Sequence, residues 1–280
     1  MAELEIQPLL QTATLTVRDF VCDGGCASEA ECAHATSLAF PYRGVYVRHV
    51  GRQEAVAEAN QVVAFNADEE YRITHPVAGG DACLSLALDQ DLLAELAPRD
   101  QLRGGARLAF HLQRRRIDPR AQALVALLRH GLRRGAAEPL EAETLALTLV
   151  RRALGERTSQ AAASSYGRQK LVDRAKLALS GDLARRWTLA DVAAVVGVSP
   201  VYLTQAFQAV EGVPLYRYHV RLRLARALDR LADEDDLTAL GLDLGFSSHS
   251  HFTAAFRRAY GRAPGEFRRA TRGGGAGPDR

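Results

Sequence analysis

Two related stretches in the last third of the chain decide the fold: residues 189–207 read LADVAAVVGVSPVYLTQAF, and residues 237–256 read LTALGLDLGFSSHSHFTAAF. In each, a short apolar segment ends at a glycine, and a serine soon afterwards begins a second segment with helical spacing. Glycine permits the left-handed backbone that ends one helix, and serine caps the next by accepting a hydrogen bond from its free backbone N–H groups. Each stretch therefore predicts a helix-turn-helix unit. The glycines are Gly197 and Gly245, and the capping serines are Ser199 and Ser248.

The second helix of each unit has a predicted core face and a predicted outward face. Alignment on the capping serines matches Leu203 with Phe252 and Phe207 with Phe256 on the core side. Residues at the start of such a helix are those that reach base edges in a major groove. The alternative is a helical bundle in which these residues only cap helices, but two tandem copies favour DNA binding. The predicted outward residues are Pro200, Val201, Thr204 and Gln205 in one unit, and His249, Ser250, Thr253 and Ala254 in the other.

The charge of the 280 residues is unevenly distributed. Residues 1–112 carry a net charge of −8, whereas residues 113–167 and 168–270 carry +5 each. An acidic first half joined to a basic second half predicts that only the second half meets a polyanion. The chain has 36 basic residues, and its few lysines indicate codon bias rather than mechanism; they are Lys170 and Lys176.

Residues 168–270 resemble the DNA-binding domain of the AraC/XylS family of bacterial transcription regulators. The most specific stretch is DLGFSSHSHF at residues 243–252, followed by FRRAYG at residues 256–261 and then by Pro264 and Phe267. The resemblance implies two recognition helices that enter successive segments of the major groove. It also implies a transcription regulator, usually an activator that contacts RNA polymerase.

The resemblance carries specific roles to this sequence. The first recognition helix has no outward Arg or Lys, so contacts to thymine methyl groups are expected there rather than bidentate guanine contacts. Arginines are expected to contact phosphates and to make binding depend on salt. The implied base contacts are Val201, Thr204, Gln205, His249, Ser250 and Thr253. The candidate phosphate contacts are Arg217, Arg221, Arg223, Arg257, Arg258, Arg268 and Arg269.

The first half predicts a β-rich domain. Apolar and polar residues alternate in five stretches separated by glycines and asparagines, which is typical of a sandwich or a small barrel. Many AraC/XylS proteins carry an amino-terminal cupin-like barrel that senses an effector, and we expect residues 1–112 to be one. The alternating stretches are 15–20, 44–50, 62–65, 71–74 and 83–88.

Helical spacing in residues 119–130 and 139–154 predicts a helical hairpin. The predicted fold class is thus α+β and multidomain, with a cupin-like β-barrel, a helical hairpin and an all-α domain with two helix-turn-helix motifs. The apolar face of the hairpin predicts a homodimer; its residues are Leu124, Leu127, Leu128, Leu145 and Leu149. The expected boundaries are 113–155 for the helical dimerisation element, 156–167 for a linker, 168–270 for the DNA-binding domain and 271–280 for a disordered tail.

All four cysteines lie in the first half, together with histidines. Structural zinc is held by four Cys or His ligands that usually form close pairs, and these spacings are irregular. Three interpretations stay open: a metal site, with zinc as the possible ion; a redox switch in which Cys26 and Cys32 form a disulfide; and cysteines that only pack. The candidate ligands are Cys22, Cys26, Cys32, His34, His75 and Cys83.

An enzyme is the alternative to a regulator. Cupin barrels also hold metal-dependent oxygenases, and an alkylation-repair protein joins a cysteine-rich zinc domain to an AraC-type domain. His34, His49 and His75 lack close His-x-His spacing, and the cysteines lack that repair protein's paired arrangement. No catalytic activity is therefore expected. The arginine run at residues 114–116 is more typical of a solvated segment than of a nucleic-acid patch.

No apolar run approaches the roughly 20 residues of a membrane-spanning helix, and the amino terminus lacks the pattern of a signal peptide. We therefore expect a cytoplasmic protein. Its expected partners are double-stranded DNA, RNA polymerase, a second copy of the chain and an effector that the sequence does not identify.

Overall fold

A computed structural model describes residues 4–24, 28–155 and 166–272. Cys26 and nearly all of the predicted linker and tail lie outside these ranges. The strands are β1 (Leu4–Gln11), β2 (Leu15–Cys22), β3 (Glu31–Cys32), β4 (Ser37–Arg43), β5 (Tyr46–Val50), β6 (Gln53–Ala57), β7 (Gln61–Phe65), β8 (Glu70–Thr74), β9 (Asp81–Leu88), β10 (Leu102–Arg103), β11 (Ala109–Phe110) and β12 (Arg114–Arg116). The helices are α1 (Gln90–Leu96), α2 (Pro119–Arg133), α3 (Pro139–Leu154), α4 (Tyr166–Gly181), α5 (Leu189–Val196), α6 (Pro200–Glu211), α7 (Leu215–Arg230), α8 (Leu237–Asp243), α9 (His249–Tyr260) and α10 (Pro264–Thr271).

The first half is built on two main sheets. Six strands pair in the order β1-β2-β9-β4-β7-β12, and four pair in the order β3-β8-β5-β6. Successive side chains of a strand point to opposite faces, and β9 follows this rule. Leu84 and Leu86 pack in the core shared with α1, α2 and α3, whereas Cys83 packs with residues of the four-stranded sheet such as Tyr46 and Ile73. We call the space between the two sheets the barrel interior.

All five predicted strand regions are present, as β2, β5, β7, β8 and β9. The longest missed strands have a physical reason for lacking alternation. Five consecutive residues of β4, from Leu38 to Tyr42, are buried, so the strand has no polar face. Strand β1 is an edge strand that is mostly exposed. The α+β layout follows the prediction.

The hairpin α2–α3 forms as predicted, but its apolar face is used within the chain. Leu128 and Leu149 are fully buried in the core beneath the six-stranded sheet, and Leu124 and Leu145 pack against the same core. Leu127 packs instead with residues of α7, α8 and α9. Leu128 and Leu149 are therefore not available for a dimer surface, whereas Leu124, Leu127 and Leu145 are half-buried, and the dimer stays a prediction.

The carboxy-terminal helices form two small cores joined by α7. Tyr218 and Leu222 on α7 pack with α4, α5 and α6, whereas Leu224 and Leu228 pack with α8, α9 and α10. This helix lies between the two units, and we call it the spacer helix. Across the described residues, only the bent pair α5–α6, taken together, has the length and composition of a membrane span, and no single helix does.

Candidate functional sites

The turn of the first helix pair is built by its predicted caps. Thr188 and Asp191 form a capping box at the start of α5, and Gly197 ends α5 in the left-handed region at φ 73°. Ser199 then accepts a hydrogen bond from the Tyr202 N–H at 3.2 Å and begins α6. The two helices meet at 88°, close to the angle of helix-turn-helix motifs.

The second helix pair repeats this construction with a different first cap. Asp236 accepts hydrogen bonds from the first turn of α8, and Gly245 adopts φ 83° after it. Ser248 accepts from the His251 N–H at 3.1 Å and begins α9. The glycine and serine roles assigned from the sequence are thus present in both pairs.

The two second helices expose the residues singled out from the sequence. Leu203, Phe207, Phe252 and Phe256 are all fully buried, whereas the side chain of Val201 is 67% exposed. Thr253 is half-buried, and the rest of the set is exposed. The exposed members are Thr204, Gln205, His249 and Ser250, together with Arg257 near the end of α9.

These side chains have the hydrogen-bonding capacity that base edges require. The Thr204 hydroxyl donates to the Pro200 carbonyl at 3.0 Å and keeps lone pairs that can accept from a base amino group. His249 Nε2 lies 3.3 Å from the Thr253 hydroxyl. Gln205 can pair with adenine in bidentate fashion, and Val201 suits a thymine methyl group.

Two arginines predicted to contact phosphates have structural roles instead. Arg223 is buried and donates to the carbonyls of Leu183, Ala184, Arg185 and Gly245, so the assignment of a phosphate contact is wrong. Arg268 donates to two carbonyls in the turn before α8. Burial lowers the pKa of the half-buried Arg221. The exposed arginines of the set are Arg217, Arg257, Arg258 and Arg269.

The carboxyl ends of both second helices contact the first half of the chain. Arg116 donates to the carbonyl of Glu211, the last residue of α6. The hydroxyl of Tyr260, the last residue of α9, donates to Gln122 of α2 at 3.3 Å. The amino-terminal turns of α6 and α9, at the opposite ends, remain exposed.

A buried group of charges joins the two halves, and we call it the lysine cluster: Glu58, Asp173, Lys176, Glu211 and Tyr218. The ammonium of Lys176 lies 2.6 Å from Glu211 and 3.9 Å from Glu58, and it is fully buried. Glu58 comes from the first half and accepts a hydrogen bond from Tyr218 of α7. Burial raises the pKa of the Glu58 carboxyl, and the charge of Lys176 opposes that shift.

The arginine run beside this cluster is not solvated, so that expectation is wrong. Residues 114–116 form β12, which pairs with β7. The Arg114 guanidinium makes two hydrogen bonds to Asp173 of α4, at 2.8 and 2.9 Å, because the docked α4 brings a carboxylate to it. Its side chain is only 14% exposed.

A second polar contact between the halves runs from α2 to α7. Arg129 forms ion pairs with Asp229 at 2.8 Å and with Asp19 at 3.4 Å. Beside it, His130 Nε2 lies 3.0 Å from the Leu228 carbonyl, which makes this nitrogen the donor. Burial lowers the pKa of His130 to about 4, so the ring is neutral near pH 7.

Three potential metal ligands meet at one end of the barrel interior. The ligand atoms of Cys22, His75 and Asp81 all lie within 4.8 Å of one another. The Cys22 sulfur is 3.6 Å from His75 Nε2, and the other ring nitrogen of His75 bonds to Asp81. Asp81 is not among the ligands predicted from the sequence, where it directly follows Gly79 and Gly80.

Three of the remaining candidates, Cys32, His34 and Cys83, do not join this cluster, and Cys26 lies outside the described residues. Cys32 and His34 are exposed, beyond the two sheets' shared interior. Cys83 packs in the barrel interior, where burial raises the pKa of its thiol well above the ordinary range. Within the part of the chain that the structure describes, only Cys22 and His75 of the predicted set are brought together with a third ligand.

Comparison with known proteins identifies a family over the two helix-turn-helix units. The helix-turn-helix domain family matches residues 192–270. A putative AraC-like transcription regulator of Streptomyces lividans is 33% identical over 100 residues, which are 35% of this chain and 33% of that protein. The HTH-type transcriptional regulator ArgR of Pseudomonas aeruginosa is 35% identical over 105 residues, 37% of this chain and 32% of that protein. The matches span about a third of these relatives' length.

Solved structures are also similar. A regulator with an AraC-type DNA-binding domain from Chromobacterium violaceum is 29% identical and covers 40% of this chain and 98% of its own, with a TM-score of 0.36. ToxT from Vibrio cholerae is 11% identical and covers 96% of this chain and 98% of its own, with a TM-score of 0.35. The sequence matches, together with the two capped helix pairs, make the carboxy-terminal part of this chain similar to AraC-like transcription regulators.

Proposed function

We propose that the chain binds DNA in a sequence-specific manner and thereby regulates transcription. The observation that carries this proposal is the pair of capped helix-turn-helix units, whose second helices both expose their amino-terminal turns. The spacer helix α7 belongs to both cores and therefore holds the two units in one rigid block. Two recognition helices in one block can read neighbouring segments of one major groove.

The test is selection of a binding site from random duplexes, followed by affinity measurements. We expect Gln205→Ala and His249→Ala to weaken binding to the selected site by about 5- to 150-fold, the cost of one good base contact. The matched control is Gln208→Ala, an exposed glutamine one turn further along α6, which we expect to leave affinity unchanged. Arg257→Ala should weaken binding to all duplexes alike. It should also reduce the slope of log affinity against log salt concentration by about one. Failure to select any preferred sequence would contradict the proposal.

The second part of the proposal is that the first half, a cupin-like barrel, senses an effector and controls the DNA-binding block. Support comes from the lysine cluster and from Arg129, which connect the barrel to α4, α6 and α7. Coupling of this kind requires the effector to bind one arrangement of the halves better than another.

The barrel interior contains a polar group suited to an effector. Arg48 is fully buried, pairs with Glu69 at 2.7 Å and lies 4.5 Å above the Phe65 ring. Its Nε and Nη1 atoms have no hydrogen-bond partner within the described structure. An effector with an acceptor group, such as a carboxylate, would satisfy these donors. If residues 166–280 alone matched the full chain in DNA affinity and in transcription under all growth conditions, effector control would be wrong.

The proposal also includes a homodimer, activation through contact with RNA polymerase, and a cytoplasmic location. The dimer needs a surface other than the buried hairpin leucines, and Leu140 of α3 is 76% exposed. We expect light scattering to give twice the 30.4 kDa chain mass at micromolar concentration, and Leu140→Ser to lower that value. A wild-type monomer at that concentration would contradict the dimer.

A further inference from the structure

The cluster of Cys22, His75 and Asp81 is assembled by three strands from both sheets. Cys22 is the last residue of β2 and Asp81 is the first of β9, and the two are direct cross-strand partners. Their side chains therefore lie on the same face of the six-stranded sheet. His75 directly follows β8 of the four-stranded sheet. A thiol, an imidazole and a carboxylate thus converge where the two sheets meet.

The spacing of the sulfur and the imidazole nitrogen fits a shared metal ion. Zinc–sulfur and zinc–nitrogen bonds of about 2.3 and 2.1 Å at a tetrahedral angle place the two ligand atoms about 3.6 Å apart. The distance from Cys22 Sγ to His75 Nε2 is 3.6 Å. The bond from His75 Nδ1 to Asp81 fixes the ring so that Nε2 faces the sulfur. This carboxylate–histidine arrangement commonly orients metal-binding imidazoles.

The backbone around the cluster is shaped to hold a small ion. The Gly24 N–H donates to the Cys22 sulfur at 3.4 Å, which favours the thiolate form that binds metal. A Cβ atom at Gly80 would overlap the Cys22 carbonyl, and one at Gly44 would overlap the Gly80 carbonyl. The side chains of His75 and Asp81 are 7% and 8% exposed. Such tight packing disfavours access by an organic substrate.

A buried hydroxyl beside the cluster also lacks a partner. Tyr46 is fully enclosed, and its hydroxyl has no hydrogen-bond partner among the described residues. It packs in the same group as Cys83, which lies two residues from Asp81 on the same face of β9. Water bound to an ion at the cluster would supply the missing partner.

We propose that Cys22, His75 and Asp81 form a binding site for a transition-metal ion of the zinc class. Sulfur and imidazole ligands select zinc over magnesium or calcium, which prefer oxygen ligands alone. Binding replaces the thiol proton of Cys22, and the proton passes to solvent.

The site also adjoins the DNA-binding block. Val77, two residues after His75, packs with Leu177 of α4 in a small apolar cluster, and it borders Gly181 at the end of that helix. An ion that restrains the turn from His75 to Asp81 therefore restrains a contact of α4. This consequence, unlike the site itself, rests on the proposed regulator function.

The experiment uses the full chain, purified without an affinity tag, stripped of metal and titrated with Co²⁺. A thiolate–cobalt charge-transfer band should saturate at one ion per chain, and zinc should displace it. We expect Cys22→Ser to abolish the band and Asp81→Asn to weaken cobalt binding by about 10- to 100-fold. The matched control is Cys32→Ser, which removes an exposed thiol of the same half and should leave the band unchanged. Circular dichroism shows whether each variant folds. If Cys22→Ser does not fold, Asp81→Asn provides the test.

Several results would overturn the site. One is a wild-type chain that shows neither a thiolate–cobalt band nor stoichiometric zinc. If Cys22 of such a chain reacts readily with alkylating agents, it is a reactive thiol rather than a metal ligand. Another is a band that survives Cys22→Ser in the folded protein. DNA affinity for a selected site, measured with and without zinc on the same samples, separates the two proposals. Normal DNA binding without metal binding refutes only the site, whereas metal binding without DNA recognition refutes only the regulator function.

Discussion

Replacement of Lys176 by methionine is the sharpest test of how the two halves are held together. The ammonium of Lys176 is the cation between Glu58 of the barrel half and Glu211 of α6, at 3.9 and 2.6 Å. All three side chains are nearly or fully buried. Methionine is unbranched and only one heavy atom shorter than lysine, but it leaves the two carboxylates without this cation.

The expected cost follows from that burial. Removal of one partner of a buried ion pair typically lowers the free energy of unfolding by about 3–5 kcal/mol, because the remaining charge is uncompensated. Adding Glu58→Gln should recover about 1–3 kcal/mol, since one of the two carboxylates is then neutral. The glutamine oxygen can still accept the hydrogen bond from Tyr218.

Urea denaturation at several pH values measures both effects. Burial raises the pKa of Glu58 above its ordinary value of 4.5, and loss of the lysine charge raises it further. A carboxyl with a raised pKa contributes stability below that value and loses it as the pH rises. The loss of unfolding free energy in Lys176→Met, relative to wild type, should therefore be larger at pH 8 than at pH 5. Lys170→Met, on the exposed face of the same helix, is the control and should not move the urea midpoint.

Two outcomes would refute this reasoning. One is an unchanged midpoint for Lys176→Met, which would mean that the lysine cluster contributes nothing to the folded state. The other is strict additivity of Lys176→Met and Glu58→Gln, which would mean that the two side chains do not interact.

Three further predictions concern local features. Gly245→Ala should lower the free energy of unfolding by about 2–4 kcal/mol, because its Cβ would meet the Ala184 carbonyl at a positive φ. Gly197→Ala, which has open space at the same position of the first unit, should lower it by about 1 kcal/mol. Equal losses in thermal denaturation would contradict the steric argument. The pKa of His130 is about 4 in the folded protein and 6.5 in the unfolded chain, so at pH 5 the proton binds mainly to the unfolded state. This should lower the free energy of unfolding at pH 5 by about 2 kcal/mol. His130→Gln should lessen the fall in urea midpoint between pH 7.5 and pH 5, and an unchanged fall would refute the assignment. Ser248→Ala should cost about 1 kcal/mol through loss of the cap of α9, and a melting temperature equal to that of wild type would refute the capping role.

The recognition helices could be predicted from the sequence because their signals are local. A glycine at the end of one helix and a serine at the start of the next lie two or three residues apart, and both act on the backbone beside them. The strands with one polar face were visible for the same reason. Strand β4 was not, because burial on both faces removes the alternation that periodicity detects.

The contacts between the halves could not be predicted, because their members are far apart in sequence. Glu58 and Glu211 are separated by about 150 residues, and neither lies in a recognisable motif. One signal is present in the sequence: Lys176 is one of only two lysines in a chain whose other basic residues are arginines. Lys176 is fully buried, where a compact ammonium fits between two carboxylates. Asp81 could not be predicted for a similar reason, since its cross-strand partner Cys22 is about 60 residues away in sequence.

The barrel half contacts α6 at its carboxyl end, so a rotation there produces a larger displacement at the amino end of the helix. Its 12 residues span about 18 Å at the usual rise of an α-helix. The barrel half contacts one end through Arg116, and the side chains that we propose to read bases lie at the other. A tilt of about 5° at Glu211 would move the far end by roughly 1.6 Å, more than a hydrogen bond to a base edge tolerates. A small rotation of α6 at the lysine cluster would therefore change the proposed sequence readout.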